Sequence, residues 1–297
     1  MNKDTSKRQE PSLNFSKEVG ALTVFCSLIT ALINSVQRAL SDIAKDQDIE
    51  ALHQYRVNLR QIEALIIVFH NIVPKKILLK MKTESKALFA ASGQLRDFDL
   101  LVSKLLITNP KSKKKCLDIT LIEEITAKRQ AEFERFLLTT KNSEYSDHFV
   151  RLQCCLSKVE QCSSHVSLQN CWPILMKQSM HNVHKAYQRL WKKKDDSHIH
   201  KLRKSLKQLR YCIELIGLIV KPRKARLVLS WLKSQQESLG NYNDLQVQLG
   251  LLTVHCQASK TVKRVFESSD LSHVRQSLPL SKSEWKILKK NIKSLTR

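Results

Sequence analysis

Glycine and proline are scarce, with 5 and 6 residues in a chain of 297. Sheet proteins draw on both for their many turns, and alternating apolar–polar runs bounded by turn pairs are missing too. An all-β or α/β chain is therefore excluded. Aromatic residues make up only 6% and do not interleave with the cations, so no ladder for stacking bases is present. Acids are outnumbered, 27 Asp and Glu against 51 Lys and Arg, for a formal net charge of +24. No Walker motif, zinc-finger spacing or helix-turn-helix signature appears.

The 8 cysteines follow no paired CxxC pattern, and nothing suggests a disulfide framework. Cys154, Cys155, Cys162 and His165 form the one cluster with metal-ligating residue types. Its spacing matches no common zinc motif, and small buried cysteines on a helix account for it. No metal and no cofactor is expected, and a reducing cytoplasm fits this usage. Val19 to Val36 runs 18 residues without a charge, at the lower edge of a membrane span. Thr23, Ser27, Thr30, Asn34 and Ser35 dilute it, so it reads as a buried helix rather than as a membrane span.

Hydrophobic residues make up 42%, with helical periodicity almost throughout. Helices are expected over 16–45, 50–72, 75–107, 118–141, 147–162, 168–193, 197–219, 222–257 and 283–296. Pro74 and Pro222 each end one helix and can start the next. Loops are expected over 108–115 and 139–147, with a disordered tail over 1–14 ahead of a single domain over 15–297.

The chain repeats itself. "HQYRVNLRQIE" begins at His53 and "HKLRKSLKQLR" at His200, a shift of 147. The same shift carries Arg56 to Arg203, Leu59 to Leu206, Arg60 to Lys207, Gly93 to Gly240 and Asp97 to Asp244 without an insertion. It also carries Arg38 to Lys185, Lys76 to Arg223 and Lys86 to Lys233. A tandem duplication follows, with repeats over about 15–145 and 162–297.

On a helical wheel His200, Arg203, Lys204, Lys207 and Arg210 share one face, opposite Leu202, Leu206, Leu209, Ile213 and Ile216. His53, Arg56 and Arg60 lie likewise against Tyr55, Leu59, Ile62 and Ile66. Like charges stacked on adjacent turns repel by a few tenths of a kcal/mol per pair, so something must offset them. From Lys185 to Lys233 there are 15 Lys and Arg against 3 acids. Such a field attracts polyanions: nucleic acid, anionic lipid, free polyphosphate or an inositol-phosphate-like ligand. If the repeats pack about a pseudo-twofold axis, their basic faces meet in a channel or groove where arginine forks can grip phosphate. A histidine there gains its proton more readily once an anion is bound. Asp97, Asp99 and Asp244 are expected to pair with cations between helices rather than to catalyse. Gly93 and Gly240 are expected to permit a close helix crossing.

The pattern H-x-x-R-x-x-L-[RK], followed by G-x-x-R-D-x-D in one half and G-x-x-N-D-L in the other, resembles the CHAD family, the conserved histidine α-helical domain. The resemblance spans residue 15 to the C-terminus. It implies an all-α fold of two four-helix-bundle repeats related by pseudo-twofold symmetry, with long antiparallel helices around a basic central pore or groove. It implies non-catalytic binding of inorganic polyphosphate in the cytoplasm, at polyphosphate granules for some members. His53, Arg56, Arg60, His200, Arg203, Lys207 and Arg210 match the basic motif, and Lys204 joins them as a site residue by sharing their helix face; Arg38, Lys76, Lys86, Lys185, Arg223 and Lys233 follow by shift and helix. The E-x-E-x-K signature of the triphosphate tunnel enzymes, to which such domains are sometimes fused, is absent. Nucleic-acid binding by the basic surface is the alternative. Glu63, opposite Arg210 in the repeat, and the paired Gln61 and Gln208 depart from the family's basic pattern. The first half is accordingly expected to bind more weakly.

Overall fold

In the computed structural model the described residues are 18–46, 49–108, 119–162, 166–193, 195–217, 223–255 and 282–293. The N-terminal tail, most of the expected loop 108–115 and His165 lie outside them. Among the described residues the chain forms ten α-helices, and the only β pairing is an isolated bridge. They are α1 (Ala21–Asp46), α2 (Ile49–Val68), α3 (Lys75–Ala91), α4 (Gly93–Thr108), α5 (Ile119–Lys141), α6 (Ser143–Glu160), α7 (Leu168–Lys192), α8 (Asp196–Gly217), α9 (Arg223–His255) and α10 (Lys282–Lys293).

Local chemistry sets most boundaries. Pro74 stands immediately before α3, where a fixed φ and a missing N–H do no harm. Ser167 caps α7 by accepting the Asn170 N–H, and Asp195 Oδ1 accepts the His198 N–H at 2.9 Å ahead of α8. That backbone hydrogen bond, first among several, holds the Asp195 carboxyl well below the usual carboxylate range. The expected loop over 139–147 shrinks to Asn142, whose Oδ1 accepts the Glu144 N–H at 3.0 Å and caps α6. Six polar residues in a row, 139–144, suggest a loop, yet one asparagine suffices to turn the chain.

The expected helix over 75–107 is two helices. Ser92 interrupts it, and its Oγ donates to the Phe89 carbonyl while accepting from Arg56 Nη1 at 2.9 Å. The break thus involves a partner 36 residues away, which helical periodicity does not reveal. The equivalent segment of the second half runs uninterrupted through α9.

One continuous core joins the two halves of the chain. α1, α2, α3 and α6 pack around Phe25, Ile29, Tyr55, Leu59, Ile62, Met81 and Leu152. Glu84 of α3 accepts from Arg151 and His148 of α6 at 2.8 and 2.7 Å. In the other half, α7, α8, α9 and α10 enclose Val183, Tyr187, Leu202, Leu206, Leu209, Leu232 and Trp285. α1 is the one described helix apolar and long enough to cross a membrane, and its apolar residues Val24, Phe25, Ile29, Ile33 and Val36 are buried in this core.

Contacts between the halves pair α1 with α7, α2 with α8 and α4 with α9. A smaller cluster of Phe98, Leu101, Leu105, Leu121, Ile125, Leu245 and Leu252 seals the α4–α5–α9 junction. Gly20 bridges Ser167: Ala21 N–H donates to the Val166 carbonyl, and Leu168 N–H to the Val19 carbonyl, both at 2.9 Å. Each of Val19, Gly20 and Ala21 here meets residues around its own counterpart 147 positions on.

Gly93 and Gly240 do not mark a close crossing. A Cβ at either would meet nothing within 4 Å, so both face open space. Since Gly240 lies inside α9 without contacts, Gly240→Ala should stabilise the fold by about 0.5–1 kcal/mol through helix propensity. Urea denaturation measures this, and a loss of stability would show that the open space is filled in solution.

Candidate functional site

α2 packs on α8, and this contact covers part of the cationic face of each helix. Leu202, Leu206, Leu209 and Ile213 fill the core as expected, but the cationic faces do not simply point to water. Arg56 is 7% exposed, and Arg60, Arg203, Lys207 and Arg210 are half-buried. α4 adds Arg96 and Asp97 to this cluster, and α9 adds Asp244.

Phe89 at the end of α3 is the platform for the α2 cations. The Arg56 guanidinium carbon lies 4.1 Å from its ring centre and that of Arg60 5.1 Å. Arg56 Nη1 also donates to Ser92 Oγ and, at 3.3 Å, to the Phe89 carbonyl. Arg96 Nη2 donates to His53 Nδ1 at 3.2 Å. A guanidinium has only donors, so this nitrogen of His53 accepts and the ring hydrogen sits on Nε2. Burial, then the charge of Arg96, pushes the His53 pKa down. In this arrangement His53 is a neutral Nε2–H donor, not the cation read from the sequence.

Electrostatics across the cluster is dominated by burial and mutual repulsion. Burial followed by Arg60 lowers Arg56 to about 10. Burial also lowers Arg60 and Arg203, with Asp244 opposing in both cases. Lys207 falls to about 7, through burial first and then Arg60, Arg203 and Arg210. Burial raises Asp97, where Arg56 favours the charged form and Asp244 opposes it. Among the described residues, Nε of Arg56, Arg203 and Arg210 are buried without a hydrogen-bond partner. Nε of Arg56 and Arg203 thus lacks an acceptor in a group where cations outnumber acids, an arrangement that fits an anion.

The other expected site residues lie apart from this centre or are engaged. Arg210 stacks on Tyr211 at 4.9 Å and forms an ion pair with Glu214 across 3.2 Å that lacks hydrogen-bond geometry. His200 is exposed at a cavity of about 210 Å³ that Arg203, Tyr242 and Asn243 also line. Lys204, Arg38, Lys76, Lys86, Lys185 and Lys233 are exposed, Arg38 folding back on Asn34 and Ser35. The Arg223 side chain lies outside the described residues. Asp99 pairs with Arg129 of α5 at 2.8 Å, as expected of an interhelical contact.

Arg96, Phe89, Ser92 and Tyr211 were not among the site residues expected from the sequence. Arg96 stands inside the G-x-x-R-D motif, but its counterpart is Asn243, so a search for cations repeated at the shift passes over it. With Arg96 added to the first half and Arg210 paired in the second, the expected imbalance between halves narrows.

A family model described as "CHAD domain" matches residues 27–253, and the chain belongs to that family. Its fold is similar to the crystal structure of the CHAD domain from the plant Ricinus communis, with a TM-score of 0.71 and 19% identity, covering 96% of each chain. It is also similar to PptA from Streptomyces chartreusis, at a TM-score of 0.57 and 12% identity, covering 92% of this chain and 98% of that one. No curated protein matches.

Arg56 serves structure as well as charge, because it ties α2 to the Ser92 break. Arg56→Ala should cost about 1–3 kcal/mol of stability through lost hydrogen bonds and packing. Arg203→Ala, which removes a repelling cation, should leave stability unchanged or raise it. Chemical denaturation of both variants decides, and equal losses would remove the distinction between them.

Proposed function

We propose that the protein binds inorganic polyphosphate without catalysis, in a basic pore or groove between two pseudo-twofold-related repeats. The observation that carries this reading is the buried cluster at the α2–α8 junction, where Arg56, Arg60, Arg96, Arg203 and Lys207 gather around Asp97 and Asp244. A bound polyanion offsets the repulsion and supplies acceptors to the unpaired guanidinium nitrogens. Linear polyphosphate suits such a site because each unit offers further oxygens along one line.

The pseudo-twofold arrangement is supported by three features. Helix starts repeat at the same offset, Ala21 to Leu168 and Ile49 to Asp196. The helices in contact across the halves include the counterpart pairs α1–α7 and α2–α8. The two hydrogen bonds of the Gly20–Ser167 bridge exchange under the shift of 147. An axis between Gly20 and Ser167 would also bring Arg60 and Lys207 to one place, where Arg60 acts on the charge of Lys207.

Catalysis is not part of the proposal. Asp97 and Asp244 sit among cations that counter them, whereas phosphoryl transfer with a metal needs acids turned to the ion. In the cell the protein would act in the cytoplasm and associate with polyphosphate granules, as its family resemblance suggests.

Competition between long-chain polyphosphate and duplex DNA of equal charge tests the reading. Polyphosphate should displace DNA, with affinity falling steeply as salt rises through counterion release. Tighter binding of DNA would favour the nucleic-acid alternative. Arg60→Ala and Arg203→Ala should each weaken polyphosphate binding by about tenfold or more, the range of a charge-assisted hydrogen bond. Lys86→Ala, on the exposed face of α3, should cost much less. Filter binding ranks them, and equal losses would mean a diffuse surface rather than a site.

A further inference from the structure

The duplication places different chemistry at equivalent points. Position 60 in α2 is arginine, and its counterpart 147 residues later in α8 is Lys207. Arginine stays charged throughout the physiological range; lysine releases its proton when its surroundings oppose the charge. Lys207 is half-buried and surrounded. Arg203 and Arg210 stand one turn before and after it on α8, all half-buried, and α8 packs against α2, which carries the half-buried Arg60; Asp244 from α9 is the acid acting on it. α7, also packed against α8, contributes none of the charges acting on it most strongly.

We propose that Lys207 makes polyanion binding proton-coupled: the site takes up a proton at this lysine when the ligand enters and releases it when the ligand leaves. The proposal rests on the polyphosphate reading above and adds its regulation. The step is a simple acid–base one. The neutral amine of Lys207 accepts a proton from solvent or buffer, and the resulting ammonium donates to a phosphate oxygen.

The direction follows from the two states. Without ligand, burial and three guanidiniums hold Lys207 near 7. A bound polyanion reverses the local field and returns the lysine toward its ordinary range. Between these two values the complex holds one proton more than the separated partners. Affinity is therefore full below pH 7 and falls as pH rises above it, by up to about tenfold per unit. The apo fold responds in the opposite sense. Its lysine binds fewer protons than the unfolded chain, so stability grows as pH rises from 7 toward the unfolded value. Acidification would thus strain the free protein and favour loading.

Titration calorimetry with long-chain polyphosphate tests this on the full-length protein. Internal phosphates stay ionised, so proton uptake belongs to the protein. At pH 8 and constant ionic strength, two buffers of different ionisation enthalpy should give different apparent heats. For the wild-type protein they should correspond to uptake approaching one proton per site, with affinity falling from pH 7 to 9. Lys207→Arg should bind with little proton uptake at pH 8 and a nearly flat profile. Lys207→Met, which fills the position without a charge, should bind weakly at pH 6 and likewise lack the slope. Uptake and slope retained in both variants, or absent from the wild type, would overturn the proposal while leaving polyphosphate binding intact. No binding by the wild type at any pH would overturn the polyphosphate reading and this inference with it.

Discussion

Burying like charges is the constraint on which the rest of the structure turns. Guanidiniums resist desolvation less than ammonium groups do, and the first half meets the problem with arginines at 56, 60 and 96. Phe89 lends them an aromatic face, and Ser92 and the Phe89 carbonyl take up Arg56. The helix break between α3 and α4 belongs to this arrangement, since Ser92 serves both the turn and the arginine. The second half has Gln236 in place of Phe89, and that side chain turns to the Leu206 carbonyl in the core. Without that platform, α9 passes through the equivalent point as one helix, and Lys207 lies in the field of its neighbours.

Residues related by the shift of 147 keep the frame of the sequence pattern while differing in charge. Leu59 and Leu206, Asp97 and Asp244, and the two glycines hold their places. The side chains that modulate charge have changed: Glu63 against Arg210, Arg96 against Asn243, Arg60 against Lys207. Arg210, the added cation of the second half, finds Glu214 one turn on. The exposed cations on α1, α3, α7 and α9 surround this centre with a general positive field, which under the proposed function would steer a polyanion without specifying where it stops.

Helix identity and most boundaries were legible because proline, caps and apolar periodicity act within a few residues of each other. The shift of 147 holds over two motifs in the sequence, and the starts of α1 and α7 and of α2 and α8 stand at that same offset. What escaped depends on tertiary contact. The Ser92 break requires Arg56 from another helix, and periodicity alone runs straight through it. The role of His53 depends on Arg96, 43 residues away, which turns an expected cation into a neutral donor. Gly93 and Gly240 suggested close packing, and the space beside them is open. That openness falls on the face of Asp97 and Asp244, one turn away.

A crystal structure of the protein with bound polyphosphate tests the central claim most directly. The account predicts a chain of phosphates between α2 and α8, with oxygens within hydrogen-bond distance of Arg60, Arg203 and Lys207. Density confined to the exposed lysines of α1, α3 or α7, with the α2–α8 junction unchanged, would contradict it.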